Sequence, residues 1–150
     1  MSKKAHIEAL RSVWLFERCG GKELSTLASN VTTVSVPAGK VLAREGDLGR
    51  EFFVLVSGKV EASRGGVSVR TLGPGSFFGE MALLDRQPRT ATVTATEPCE
   101  LMVLTTQAFV GVIDTMPSVD RKMLTVLAER LREVESRCLP VDERTLGNDF

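Results

Sequence analysis

Histidine is almost missing from this chain: His6 is the only one among 150 residues. A histidine-based metal centre or a Ser-His-Asp arrangement therefore has little to be built from. His6 itself stands among polar N-terminal residues and reads as solvent-exposed. The three cysteines, Cys19, Cys99 and Cys138, are odd in number and widely spaced, without the CxxC pairing of a zinc ribbon or a thioredoxin motif. Net charge is missing too, since 19 basic residues balance 19 acidic ones. Such a surface does not announce nucleic acid or an anionic membrane as a partner. The apolar runs are far shorter than a bilayer span, and the N-terminus lacks the charged start and apolar core of a secretory signal. A cytoplasmic chain with reduced thiols is the expectation.

What is present is concentrated between Phe78 and Thr92, where the chain reads FGEMALLDRQPRTAT. Gly79 can adopt the positive φ that other residues avoid, and it lets a ligand approach the backbone. The short segment from Glu80 to Leu84 can form one helical turn, whose free amides at its start favour an anion. Glu80 brings a carboxylate that accepts hydrogen bonds from hydroxyls. Nine positions later Arg89 brings a planar, permanently charged fork suited to a phosphate. Pro88 fixes the backbone before it, and Thr90 adds a hydroxyl beside it. A small phosphorylated sugar is the ligand these groups describe. The competing reading is a surface ion pair between Glu80 and Arg89, worth at most about 1 kcal/mol.

On these residues the stretch resembles the phosphate-binding cassette of the cyclic nucleotide-binding domain family. That module is found in cyclic AMP receptor proteins, cyclic nucleotide-dependent kinases and cyclic nucleotide-gated channels. The family pattern is Gly-Glu, then small or apolar residues, then Arg nine positions after the Glu, a small residue, Ala and Ser or Thr. The resemblance implies that Glu80 binds the ribose 2′-hydroxyl and Arg89 the cyclic phosphate. It implies that the amides near Met81 and Ala82 complete the phosphate nest, and that Ala62 and Val69 lie under the purine. For those two, barrel core is the plain alternative. Thr90 weakly favours tolerance of cyclic GMP, because its hydroxyl can bond the guanine amine as well as the phosphate. The resemblance also implies an antiparallel β jelly-roll with short helices before and after it.

The rest of the chain fits such a scaffold. Residues 4–19 put Ile7, Leu10, Val13, Trp14 and Phe16 near one helical face, and a second short helix follows Gly20-Gly21. From Val31 the period becomes alternating: VTTVSV, KVLAREGD, EFFVLVSGKVEAS and GVSVRTLGPG read as strands broken by glycine turns. TATVTATEPCELMVLTT adds two more strands, and no helices of the kind a parallel sheet needs intervene. Gly39, Gly46, Gly58 and Gly75 stand where the family has glycines, so the resemblance runs over about residues 15–135. A helix over 107–114 places Phe109, Val110 and Ile113 together, and Pro117 stops it. Ser118 then reads as the N-cap of a helix to about Arg137, with Leu124, Leu127, Leu131, Val134 and Cys138 at alternating spacings of three and four.

The expected organisation is an N-terminal helical segment (1–30), a β-barrel carrying the cassette (31–106), hinge and lid helices (107–138) and a polar tail (139–150). No helix-turn-helix, kinase or channel segment is recognisable in these residues. The expectation is a stand-alone, non-enzymatic sensor that binds cyclic AMP or cyclic GMP and uses no metal. Its output would pass to a protein partner, or to a second copy, through the C-terminal helix. The alternative is the same fold serving as an interaction module without a ligand. A metal-dependent enzyme on a jelly-roll would need several histidines.

Overall fold

The computed structural model describes residues 2–80 and 86–137. Eight strands form two four-stranded antiparallel sheets, with order β1-β8-β3-β6 in one and β2-β7-β4-β5 in the other. The strands are β1 (Val31–Val36), β2 (Val41–Ala43), β3 (Glu51–Ser57), β4 (Val60–Arg64), β5 (Val67–Leu72), β6 (Phe77–Phe78), β7 (Thr92–Ala95) and β8 (Cys99–Thr105). Apart from the β4–β5 hairpin, consecutive strands alternate between the sheets, which is the jelly-roll topology the sequence resemblance implies.

Hydrophobic patterning explains which sheet is central. β3 and β8 carry nearly unbroken apolar runs, FFVLV and LMVL, because both of their faces are covered. Phe53, Leu55, Leu101 and Val103 point between the sheets, where they meet Val60, Val93 and Ala95. Phe52, Val54, Met102 and Leu104 point outward and are covered by helices. β1 alternates instead, leaving Thr32 exposed and burying Val36.

Among the described residues four helices supply that cover: α1 (Lys3–Arg11), α2 (Gly21–Ser29), α3 (Thr106–Thr115) and α4 (Pro117–Arg137). The single helix expected over 4–19 is broken. α1 ends at Arg11, and Trp14–Phe16 forms a separate 3-10 turn that buries Leu15 and Phe16 while Trp14 stays exposed. His6 is buried rather than solvated, with Nε2 2.7 Å from the Thr33 hydroxyl oxygen. That contact ties α1 to β1 and depends on a partner 27 residues away, which local polarity does not report.

α3 is anchored by Phe109, which stacks on Phe52 at 4.4 Å between ring centroids. Pro117 does not merely stop α3; it is the first residue of α4, where its missing N–H is no loss. α4 sits down on Met116, Val119 and Met123, all buried in the helix-covered core. Lys122 reinforces the seat: Nζ donates to the Trp14 carbonyl at 2.6 Å, pairs with Glu17 at 3.1 Å and lies 4.8 Å from the Trp14 ring centroid. The expected leucine stripe is therefore not the packed face of the first turns. Leu124 and Leu131 are 67% and 59% exposed, whereas Ile113, Val134 and Cys138 lie outside the described side chains.

Candidate functional site

The loop that carries Arg89 is pinned by backbone. The amide of Arg89 donates to the Asp47 carbonyl at 2.8 Å, and its own carbonyl accepts from Gly46 at 2.9 Å. Pro88 forms an isolated bridge to Leu48. The Gly46–Gly49 segment, which reads in the sequence as a turn and nothing more, is thus the splint on which the arginine is mounted. Its guanidinium donates through Nη2 to the Glu51 carbonyl at 3.0 Å and lies 5.8 Å from the Phe53 ring centroid. Burial lowers the Arg89 pKa from its ordinary value, with Glu51 opposing.

Gly79 is what allows this. It adopts φ +95°, and a Cβ there would lie 2.8 Å from the Glu51 carbonyl oxygen and 3.0 Å from Arg89 Nη1. Any side chain would strain the backbone and press on the same arginine. The next residue, Glu80, is fully buried. Its Oε1 accepts from Arg130 Nη1, whereas Oε2 has no partner among the described residues. A buried carboxylate oxygen without a donor is costly unless something supplies one. Glu80 and Arg89 are consequently not a surface ion pair with each other.

These groups line one cavity of about 440 Å³, within the size range of a small-molecule site. Gly79, Glu80, Arg89, Thr90, Ala62 and Val69 all contribute to its wall. Ala62 from β4 and Val69 from β5 are half-buried there, as is Arg89, while Thr90 is exposed. Met81 and Ala82 lie outside the described residues.

The wall also contains charged residues that the sequence reading leaves aside. Arg130 reaches from α4 to Glu80, and Arg70 on β5 pairs with Glu133 of the same helix. Burial lowers the Arg130 pKa first and Arg70 next, with Glu133 opposing. Leu127 and Leu131 of α4 border the same space. Their spacing offered the signal: Arg130 lies three residues after Leu127, so it shares the flank of that stripe. The C-terminal helix is thereby joined to the cassette region across the cavity.

A jelly-roll whose cavity is lined by charged side chains beside an apolar wall has the architecture of a ligand-binding module. Residues 33–116 match the model of the cyclic nucleotide-binding domain, and the chain belongs to that family. It is 36% identical to the cyclic AMP receptor protein of Thermus thermophilus over 81% of this chain and 58% of that one. It is 48% identical over 67 residues to the cAMP-dependent protein kinase regulatory subunit of Yarrowia lipolytica, covering 45% of this chain and 18% of that protein. Among solved structures, cAMP-bound PfPKA-R superimposes with a TM-score of 0.79 at 28% identity, covering 88% of this chain and 45% of that one. The chain spans less than two thirds of these relatives' lengths. The family is a regulatory, nucleotide-binding one.

Proposed function

We propose that this chain is a cyclic AMP sensor domain that also accepts cyclic GMP. The observation that carries this reading is the pairing, in one cavity, of a fully buried Glu80 oxygen without a donor among the described residues and the guanidinium of Arg89. A ribose 2′-hydroxyl is the donor Glu80 lacks, and a cyclic phosphate is the anion that fits Arg89. Ala62 and Val69 form the apolar wall for the purine, and the amides near Met81 and Ala82 complete the phosphate site. The relatives named for cyclic AMP, and the cAMP-bound structural neighbour, support cyclic AMP as the principal ligand. Thr90, exposed at the cavity edge, is the residue through which cyclic GMP gains a contact.

The output element in this reading is α4. It bears both ion pairs that cross the cavity and exposes Leu124 and Leu131 to a protein partner or a second copy. A ligand moves the helix only by binding one of its positions better than another. Titration calorimetry with cyclic AMP and cyclic GMP tests the proposal. Saturable 1:1 binding is expected, weakened about 10- to 150-fold in Arg89→Ala, the scale of a hydrogen bond to a charged group of about 1.5–3 kcal/mol. Absence of binding by the unaltered chain would leave an interaction module without a ligand.

A further inference from the structure

Among the described residues, four arginines and two glutamates contribute to the cavity wall. Two of the arginines are matched by carboxylates: Arg70 by Glu133 and Arg130 by Glu80. Arg64 and Arg89 are not. Each donates to a backbone carbonyl, Arg64 Nε to Thr90 at 3.0 Å and Arg89 Nη2 to Glu51 at 3.0 Å. A carbonyl orients a guanidinium without neutralising it, and it occupies one donor of five. Among the described residues neither arginine has a carboxylate within ion-pair distance. The surplus positive charge of the cavity therefore sits on Arg64 and Arg89.

The two are close in the chain's geometry as well, because the carbonyl that holds Arg64 belongs to the residue following Arg89. The base of Arg64 is itself fixed. Glu45 binds the Gly65 amide through Oε1 at 3.1 Å, and the Glu45 amide donates to Thr92 Oγ1 at 3.0 Å. This acid thus serves the backbone of the β4–β5 hairpin. The charge of Arg64 is felt within the cavity, since it helps to lower the pKa of Arg130, after burial and Arg70.

We infer that Arg64 is a second phosphate-binding arginine of this site, held by the Thr90 carbonyl so that its remaining N–H groups serve the same end of the ligand as Arg89. The inference rests on the cyclic nucleotide reading above. It goes beyond that reading because Arg64 lies outside the cassette, on the neighbouring hairpin. A single phosphodiester charge then meets two oriented cations, one half-buried and one exposed. The exposed one contributes less, and salt weakens its share.

Cyclic AMP titrated into the unaltered chain, Arg64→Gln and Arg64→Lys, at low and high salt, tests this. Arg64→Gln should weaken binding about 5- to 10-fold at low salt and about 2- to 3-fold at high salt, because an exposed charge is screened. Arg64→Lys should keep most of the affinity, and the thermal midpoint of the ligand-free chain should not move. A residue that merely braces the Thr90 loop would lower that midpoint, or cost the same affinity at both salts. Either result, or unchanged binding in Arg64→Gln, overturns the inference while leaving the cyclic nucleotide reading intact. Failure of the unaltered chain to bind overturns both.

Discussion

Removing one hydroxyl from the ligand probes Glu80 without touching the protein. Glu80 is fully buried, Oε1 is engaged by Arg130, and Oε2 awaits a donor among the described residues. If the ribose 2′-hydroxyl is that donor, the 2′-deoxy form of cyclic AMP loses one hydrogen bond to an ionised, desolvated acceptor. Such a bond contributes about 1.5–3 kcal/mol, so the deoxy ligand should bind about 10- to 150-fold more weakly. Glu80→Gln turns the acceptor neutral, and the gap between the two ligands should shrink to the roughly 0.5–1.5 kcal/mol of a neutral bond. The substitution also takes the carboxylate from Arg130, whose side chain retains 25% exposure. A stability loss is therefore expected, below the 3–5 kcal/mol typical of breaking a fully buried pair. Calorimetry with both ligands on both proteins, beside thermal melts, gives all four affinities. Equal affinity of the unaltered chain for cyclic AMP and its 2′-deoxy form would refute the reasoning, whatever the variant does.

Gly79→Ala should weaken cyclic AMP binding at least about tenfold, since its Cβ would meet the Glu51 carbonyl oxygen at 2.8 Å and Arg89 Nη1 at 3.0 Å. Gly39→Ala is the control: φ is +89° there, with no neighbouring atom within 4 Å, so it carries backbone strain of about 1–2 kcal/mol and should leave affinity unchanged. Matching affinity losses in the two variants would assign the Gly79 effect to strain alone. Saturating cyclic AMP should slow amide exchange in the second half of α4, around Leu127–Glu133, more than in β3 and β8, and identical exchange with and without ligand would remove α4 as the output element.

Much of the scaffold was legible locally. VTTVSV alternates and forms β1 over those same residues, while Gly39, Gly46, Gly58, Gly75 and Gly79 all adopt the positive φ that turn positions demand. One expected strand is shorter and one strand was not foreseen, for reasons the pattern does not carry. KVLAREGD yields only Val41–Ala43, because the residues after Ala43 turn to hold Arg89, and Phe77–Phe78 pairs with β3 although two residues show no period. Gly58 has a further reason to be glycine: a Cβ would lie 2.4 Å from the Pro98 carbonyl oxygen.

The sequence by itself determined the alternating strands and their turn glycines. It also determined the contiguous run in which a glycine, an acid and an arginine stand at fixed spacing. Those features depend on near neighbours, and backbone periodicity and chain stiffness carry them directly. Only the tertiary structure decided which charges are desolvated and what each one faces. Glu80 reads locally as a hydroxyl-binding carboxylate, with a surface pair to Arg89 as the competing reading; folding buries it and gives it Arg130, 50 residues away on another element. Arg64, Arg70 and Glu133 carry no local mark of a site until a hairpin and a helix border the same cavity. The physical reason is that an ion's environment is set by whatever packs against it. Charge and burial are therefore settled by distant segments meeting, after local structure has already formed.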